Sequence, residues 1–144
     1  MKFIYELNRS TTKGRALRGG NEMISSNDRL CPHVKAELTA HLRKLSTEIA
    51  LQTYEKSKRT RFSENRPCYI GVVVCPPTKR RMDAPNWYPT VKALIDGLTD
   101  AEVFEDDNNK VITSMTFIPG PKTENKKYRI EIVIREGVDG SWQT

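Results

Sequence analysis

The chain has 144 residues, 29% of them charged and 37% hydrophobic, with a net charge of +6 and a pI near 9.3. A chain of this length buries roughly two-thirds of its unfolded surface as one domain, so folding requires neither a disulfide nor a structural metal. No apolar run approaches the roughly 18 residues that cross a bilayer, and Met1-Lys2-Phe3-Ile4-Tyr5-Glu6 lacks the apolar core of a secretory signal, so a cytoplasmic protein with no membrane partner is expected. Cys31, Cys68 and Cys75 show no C-x-x-C spacing and read as packing residues.

Phe3 to Leu7 alternates as a short strand. The Gly/Thr/Ser/Arg-rich stretch from about 8 to 28 shows no apolar period and is expected as a long basic loop or flexible arm. From Pro32, a favoured first-turn residue, Val34, Leu38, Leu42, Leu45 and Ile49 recur at helical spacing and predict one long amphipathic helix to about Tyr54. His33 and His41 fall within it and read as surface or flank residues. After a basic linker, Tyr69 to Val74 is a β-branched run stopped by Pro76-Pro77, which predicts a buried strand. Asn86 is placed to cap a second helix that buries Val91, Leu94, Ile95 and Leu98; Pro89 is tolerated in its first turn, and Gly97 is expected to weaken its last. Val111 to Ile118 reads as a strand, and Pro119-Gly120-Pro121 as a turn into a last strand with Tyr128, Ile130, Ile132 and Ile134 on one face. These last two strands are expected to form a hairpin.

The order is β-α-β-α-β-β, an α+β fold in which two helices cover one face of a small mixed sheet. Residues 1–137 are expected to form one domain, and 138–144 a frayed tail. The positive charge gathers in four places: Arg9, Lys13, Arg15 and Arg18; Lys56, Lys58, Arg59 and Arg61; Lys79, Arg80 and Arg81; and Lys122, Lys126 and Lys127. Such clusters either attract a phosphate backbone or form a solvated surface.

The carboxylates discriminate further. Lys79-Arg80-Arg81-Met82-Asp83-Ala84-Pro85-Asn86 lies between a buried strand and a helix, where a loop is held at both ends. Asp83 there is either a functional group or a partner for Arg80, Arg81 or the helix end. Glu105-Asp106-Asp107 places three repelling carboxylates before the next strand; this is either an exposed acidic turn or a set of hard oxygens for Mg²⁺. Asp83 and Asp107 together with basic loops would serve phosphodiester cleavage, with carboxylates for the metal and cations for the flanking phosphates. Lys92 and Asp96, one helical turn apart, form either a surface ion pair or a phosphate contact with its orienting carboxylate.

Arg80-Arg81-Met82-Asp83, then Lys92-Ala93-Leu94-Ile95-Asp96-Gly97-Leu98, then Phe104-Glu105-Asp106-Asp107 resembles the signature of the RusA family of Holliday-junction resolvases, found in phages and prophages. The resemblance covers about residues 69–135. It implies a RusA-like fold and a homodimer, in a bacterial or phage-infected cell, that nicks four-way DNA junctions with Mg²⁺ or Mn²⁺ in recombination and repair. Asp83, Lys92 and Asp107 would be catalytic; Asp83, Asp107, Asp106, Asn86 and Asp96 would be the candidate metal ligands. Three departures stand out. The family's Asp-x-Asp-Asn reads Asp83-Ala84-Pro85-Asn86, with a longer gap on to Lys92, so either Asn86 or Asp96 supplies the oxygen that Pro85 lacks or the site is poorer in charge and binds metal less tightly. One extra residue before Val111 leaves Asp106 and Asp107 as alternatives. The family's Asn-rich N-terminal turn is replaced by Arg9, Lys13, Arg15 and Arg18, which join Lys79, Arg80 and Arg81 as candidate DNA contacts. A non-catalytic, structure-selective nucleic-acid-binding protein on the same fold is the alternative.

Overall fold

The structure, a computed structural model, describes residues 1–55, 61–138 and Trp142; Lys56, Lys58 and Arg59 of the second basic cluster lie outside the described residues. Strand β1 (Lys2–Leu7) buries Phe3, Tyr5 and Leu7 in strict alternation, and β4 (Tyr128–Glu136) buries Ile130, Ile132 and Ile134 in the same way. Between them come α1 (Pro32–Thr53), β2 (Cys68–Cys75), α2 (Tyr88–Asp100) and β3 (Ile112–Pro119). The result is an α+β fold with a four-stranded mixed sheet in the order β1-β4-β2-β3.

The expected hairpin between the last two strands does not form. β3 pairs in parallel with β2, whereas β4 lies antiparallel between β1 and β2. A strand that returns through a helix, as β3 does through α2, pairs in parallel with the strand it left. On its other edge β2 takes β4 in an eight-residue antiparallel ladder, and β1 adds to the far side of β4. Pro119-Gly120-Pro121 therefore starts a crossing over the end of β2: Gly120 N–H donates to Val74 O and Thr123 N–H to Pro76 O, each at 2.8 Å. A Cβ on Gly120 would stand 2.5 Å from Cys75 Sγ and 2.8 Å from Val73 Cγ1, so only glycine passes there.

Both helices pack on one face of the sheet, and the deepest line of α1 is Leu38, Leu42, Ser46 and Ala50. Ser46 and Ala50 were not expected there; the small Ser46 side chain lies where α2 comes close. Ser46 Oγ also meets the buried Tyr5 hydroxyl at 2.7 Å, and burial raises the Tyr5 pKa well above its ordinary value. Gly97 is where the helices cross. An added Cβ would collide with the Arg43 carbonyl and lie 2.7 Å from Ser46 Cβ, so this glycine sets the helix spacing and does not merely loosen a turn.

Asn86 does not cap α2. A 3₁₀ turn over Ala84–Trp87 precedes the helix, Trp87 occupies the cap position without a side-chain bond, and the Asn86 carbonyl accepts from Ser26 N–H at 2.8 Å. Prolines at 85 and 89 remove donors a cap would satisfy, so the turn tightens instead.

Residues 8–28 form a packed loop, not a free arm. Asn21 is fully buried and donates to Arg15 O and Met23 O; Thr90 Oγ1 bridges Ile24 N–H and C=O at 2.8 Å each. Of the tail, 139–141 and 143–144 lie outside the described residues, while Trp142 seats against Tyr69 with centroids 5.3 Å apart and under Arg135 at 4.4 Å. Cys68 and Cys75 are buried packing residues as expected, with burial pushing the Cys68 thiol up to about 12, but Cys31 is exposed. Among the described residues no helix is long and apolar enough to cross a membrane.

Candidate active site

Helix α2 carries Tyr88, Lys92 and Asp96 at four-residue spacing, so the three share one side of the helix. The same side faces the segment between α2 and β3. That segment is fixed at its start by buried Phe104, which bridges to Phe62 through Phe62 N–H to Val103 O (2.9 Å) and Glu105 N–H to Phe62 O (2.8 Å). At its end Asn108 Oδ1 accepts from Lys110 and Val111 N–H. A loop clamped at both ends holds its carboxylates in place.

Within it the two aspartates divide. Asp107 turns to Lys92, whose ammonium also donates to Asp96 Oδ1 at 2.8 Å. Asp106 spends its oxygens on the loop, accepting from Asp107 N–H at 2.7 Å and Asn108 Nδ2 at 3.1 Å, and borders a separate hollow with Glu64 and Glu105. Of the two aspartates, Asp107 is the carboxylate at Lys92.

The Lys92 bond and charge hold the Asp107 carboxyl below its ordinary range, against the opposing effect of burial. For Lys92, burial favours the neutral amine, but bonds and charges from Asp107 and Asp96 outweigh it and raise the pKa above its usual value. Lys92 is therefore a cation at neutral pH, suited to hold a phosphate and not to accept a proton. Beside it lies a depression of about 210 Å³ bordered by Tyr88, Lys92, Asp107, Asn109, Ser114 and Met115.

Asp83 faces a different hollow. A cleft of about 340 Å³ is lined by Ser25, Arg80, Arg81, Asp83, Asn86 and Trp87, and Lys79 and Lys122 border an adjoining one of about 300 Å³. Asp83 makes no side-chain cap to the 3₁₀ turn, and among the described residues no cation pairs with it. Among the described residues it thus makes neither a side-chain cap nor a direct ion pair with Arg80 or Arg81, although all three line the same cleft. Asp83, Asp96, Asp106 and Asp107 do not converge: among the described residues no three His, Cys, Asp or Glu side chains are arranged to hold a metal.

Of the N-terminal cations, Arg9 is committed to the fold. Its guanidinium is bidentate to Asp28 (2.7 and 2.8 Å), donates to Met23 O at 3.1 Å and lies 5.2 Å from the Trp87 ring centroid. Arg15 follows a left-handed backbone (φ 60°) and points its Nε to 3.3 Å from the same carboxylate. Lys13 and Arg18 stay exposed, as do Lys79, Arg80 and Arg81. His41 bonds Glu22 at 2.8 Å and His33 is exposed, in line with flank and surface roles. Tyr88, Asn109 and Ser114 escaped the sequence reading; the available signal was a large aromatic one turn ahead of Lys92.

No protein-family model and no curated protein matches the chain.

Proposed function

We propose that this protein is a RusA-like, metal-dependent endonuclease that nicks branched DNA, four-way junctions above all, as a homodimer. The observation that carries the reading is the convergence of Asp96 and Asp107, from a helix and a clamped loop, on one cation position filled by the Lys92 ammonium. Two hard carboxylates around one positive charge suit Mg²⁺ or Mn²⁺ by donor chemistry. Asp107 and Asp96 would hold the metal; Asp83, which pairs with no cation among the described residues, lies in a separate cleft and would stand apart from them. Asn86 lines the Asp83 cleft and is the neutral oxygen donor nearest to it in sequence. Asp106 is engaged within its loop and contributes charge at longer range. A bound divalent cation supplies a polarised phosphoryl oxygen and a water of lowered pKa. The chain's own groups do the rest: with the metal on Asp107 and Asp96, the Lys92 ammonium would turn from them to hold the phosphate, and Lys79, Arg80 and Arg81 would grip flanking phosphates.

The test is cleavage of a synthetic four-way junction and a linear duplex of the same sequence, with Mg²⁺ and with chelator. Mg²⁺-dependent nicking that favours the junction is the expected result. Equal cutting of both would make the protein a general nuclease. A second reading, a non-catalytic binder of branched nucleic acid, is favoured by the separation of Asp83 from Asp107 and by Pro85; it predicts salt-sensitive junction binding with no cutting in either metal.

A further inference from the structure

We infer that the depression beside Lys92 and Asp107 receives one unstacked nucleobase of the branched DNA, with Tyr88 as its stacking surface and Asn109 and Ser114 reading its edge; this rests on the nuclease reading above. Tyr88 is a large aromatic residue left 46% exposed on the helix that carries Lys92. Its ring is braced by Phe117 in an edge contact (6.4 Å, 64°), so its orientation is set while nearly half of the residue stays exposed. Residues Ile112 and Met115 give the depression an apolar floor. Its edges are polar: Asn109 offers both donor and acceptor, and Ser114 Oγ is buried without a partner, a costly state that rotation about χ1 and an incoming polar edge would relieve. A planar ring with hydrogen-bonding groups along its rim matches a floor, a braced aromatic and two polar edges. At about 210 Å³ the depression falls below the roughly 300 Å³ at which drug-sized sites begin, so it suits a single ring system.

The location gives the base its source. If Lys92 holds the phosphate to be cut, the base of an adjoining nucleotide must sit within a few ångströms, and at a branch point it has already lost a stacking neighbour, which lowers the cost of leaving the helix. A single aromatic platform then selects for branched over continuous duplex, and Asn109 and Ser114 make cutting depend on which base is present.

The experiment uses the full chain and a four-way junction in chelator, with a single abasic site moved through the nucleotides flanking the branch, and binding read by anisotropy. For the wild type, one position should weaken binding about tenfold, within the range for losing a base-aromatic stack. In Tyr88→Ala the intact junction should bind about tenfold more weakly and the same abasic site should cause no further loss, while Tyr88→Phe keeps the wild-type pattern. Asn109→Ala and Ser114→Ala should change which base is preferred at that position. A wild-type scan with no position-specific loss, or an abasic penalty that persists in Tyr88→Ala, overturns the pocket. Nicking in Mg²⁺ is scored separately on the same junctions: a Tyr88-dependent scan without nicking removes the nuclease and leaves the pocket, and nicking with a flat scan does the reverse.

Discussion

Two clusters in this molecule set carboxylates against cations, and they differ in what they leave unsatisfied. In the first, Asp28, its side chain only 3% exposed, is held by two guanidinium bonds from Arg9, by Ser25 N–H at 2.9 Å and by the charge of Arg15. Cations outnumber the carboxylate and every oxygen is filled. In the second, two carboxylates, 28% and 27% exposed, share the single ammonium of Lys92, and one of them, Asp107, borders an open depression. Carboxylates outnumber the cation bonded to them there, which leaves room for another positive charge. Saturation marks a cluster that holds the fold; a deficit of cation marks one that can bind.

The largest effect separating the two should come from Asp107→Asn. Junction nicking in Mg²⁺ should fall on the order of 10³-fold while the urea-unfolding midpoint stays within error of wild type, because the substitution removes a charge from an open site. Unchanged nicking would return Asp107 to the status of a surface ion pair.

Asp28→Asn should do the opposite. It strands a largely buried guanidinium, 16% exposed in Arg9, at a cost of about 3 kcal/mol, or roughly 10 °C in Tm for a chain of this size. Differential scanning calorimetry measures this, and nicking well below the new Tm should remain near wild type.

Lys92→Met sharpens the account of the second cluster. Losing the ammonium frees both carboxylates, so the affinity for Mg²⁺ in titration calorimetry should rise about fivefold, roughly 1 kcal/mol, while nicking drops. Weaker Mg²⁺ binding in this variant would mean that Lys92 assembles the site instead of filling it.

The smallest effect is in the pH dependence of stability. Burial would raise the Asp28 carboxyl, but the Arg9 bonds, the Ser25 N–H and the two arginine charges outweigh it and hold it below the ordinary range. A depressed folded-state pKa adds stability that is complete above the unfolded value of about 3.9 and disappears as the pH falls through the folded value. Chemical denaturation between pH 5 and pH 2 should therefore show a shallower decline in Asp28→Asn than in wild type.

The same contrast explains what was readable from the sequence. Strands β1 and β4 were legible because Phe3, Tyr5 and Leu7, and Ile130, Ile132 and Ile134, announce a buried face by their period. Which strand pairs with which was not, since alternation fixes a face and says nothing of a neighbour; Gly120 carried the clue, and its turn suits a crossing as well as a hairpin. Residues 8–28 looked loose because their order rests on Asn21, Asp28 and Thr90, polar bonds with no period. Lys92, Asp96 and Asp107 were visible as a motif. The division of labour between Asp106 and Asp107 was not, because it depends on how Phe104 and Asn108 clamp the loop.

The place of β4 has a consequence for the order in which the chain can fold. The strand that joins both halves of the sheet is the last of the four described strands to be synthesised, so β1 lacks its ladder partner until Tyr128–Glu136 leaves the ribosome. Until then β1 and the near edge of β2 present bare amides and carbonyls, the surfaces on which chains pair wrongly with one another. A chain truncated before Tyr128 would lose more than one strand: among the described strands β1 would have no partner, and the sheet could not close until β4 had been made.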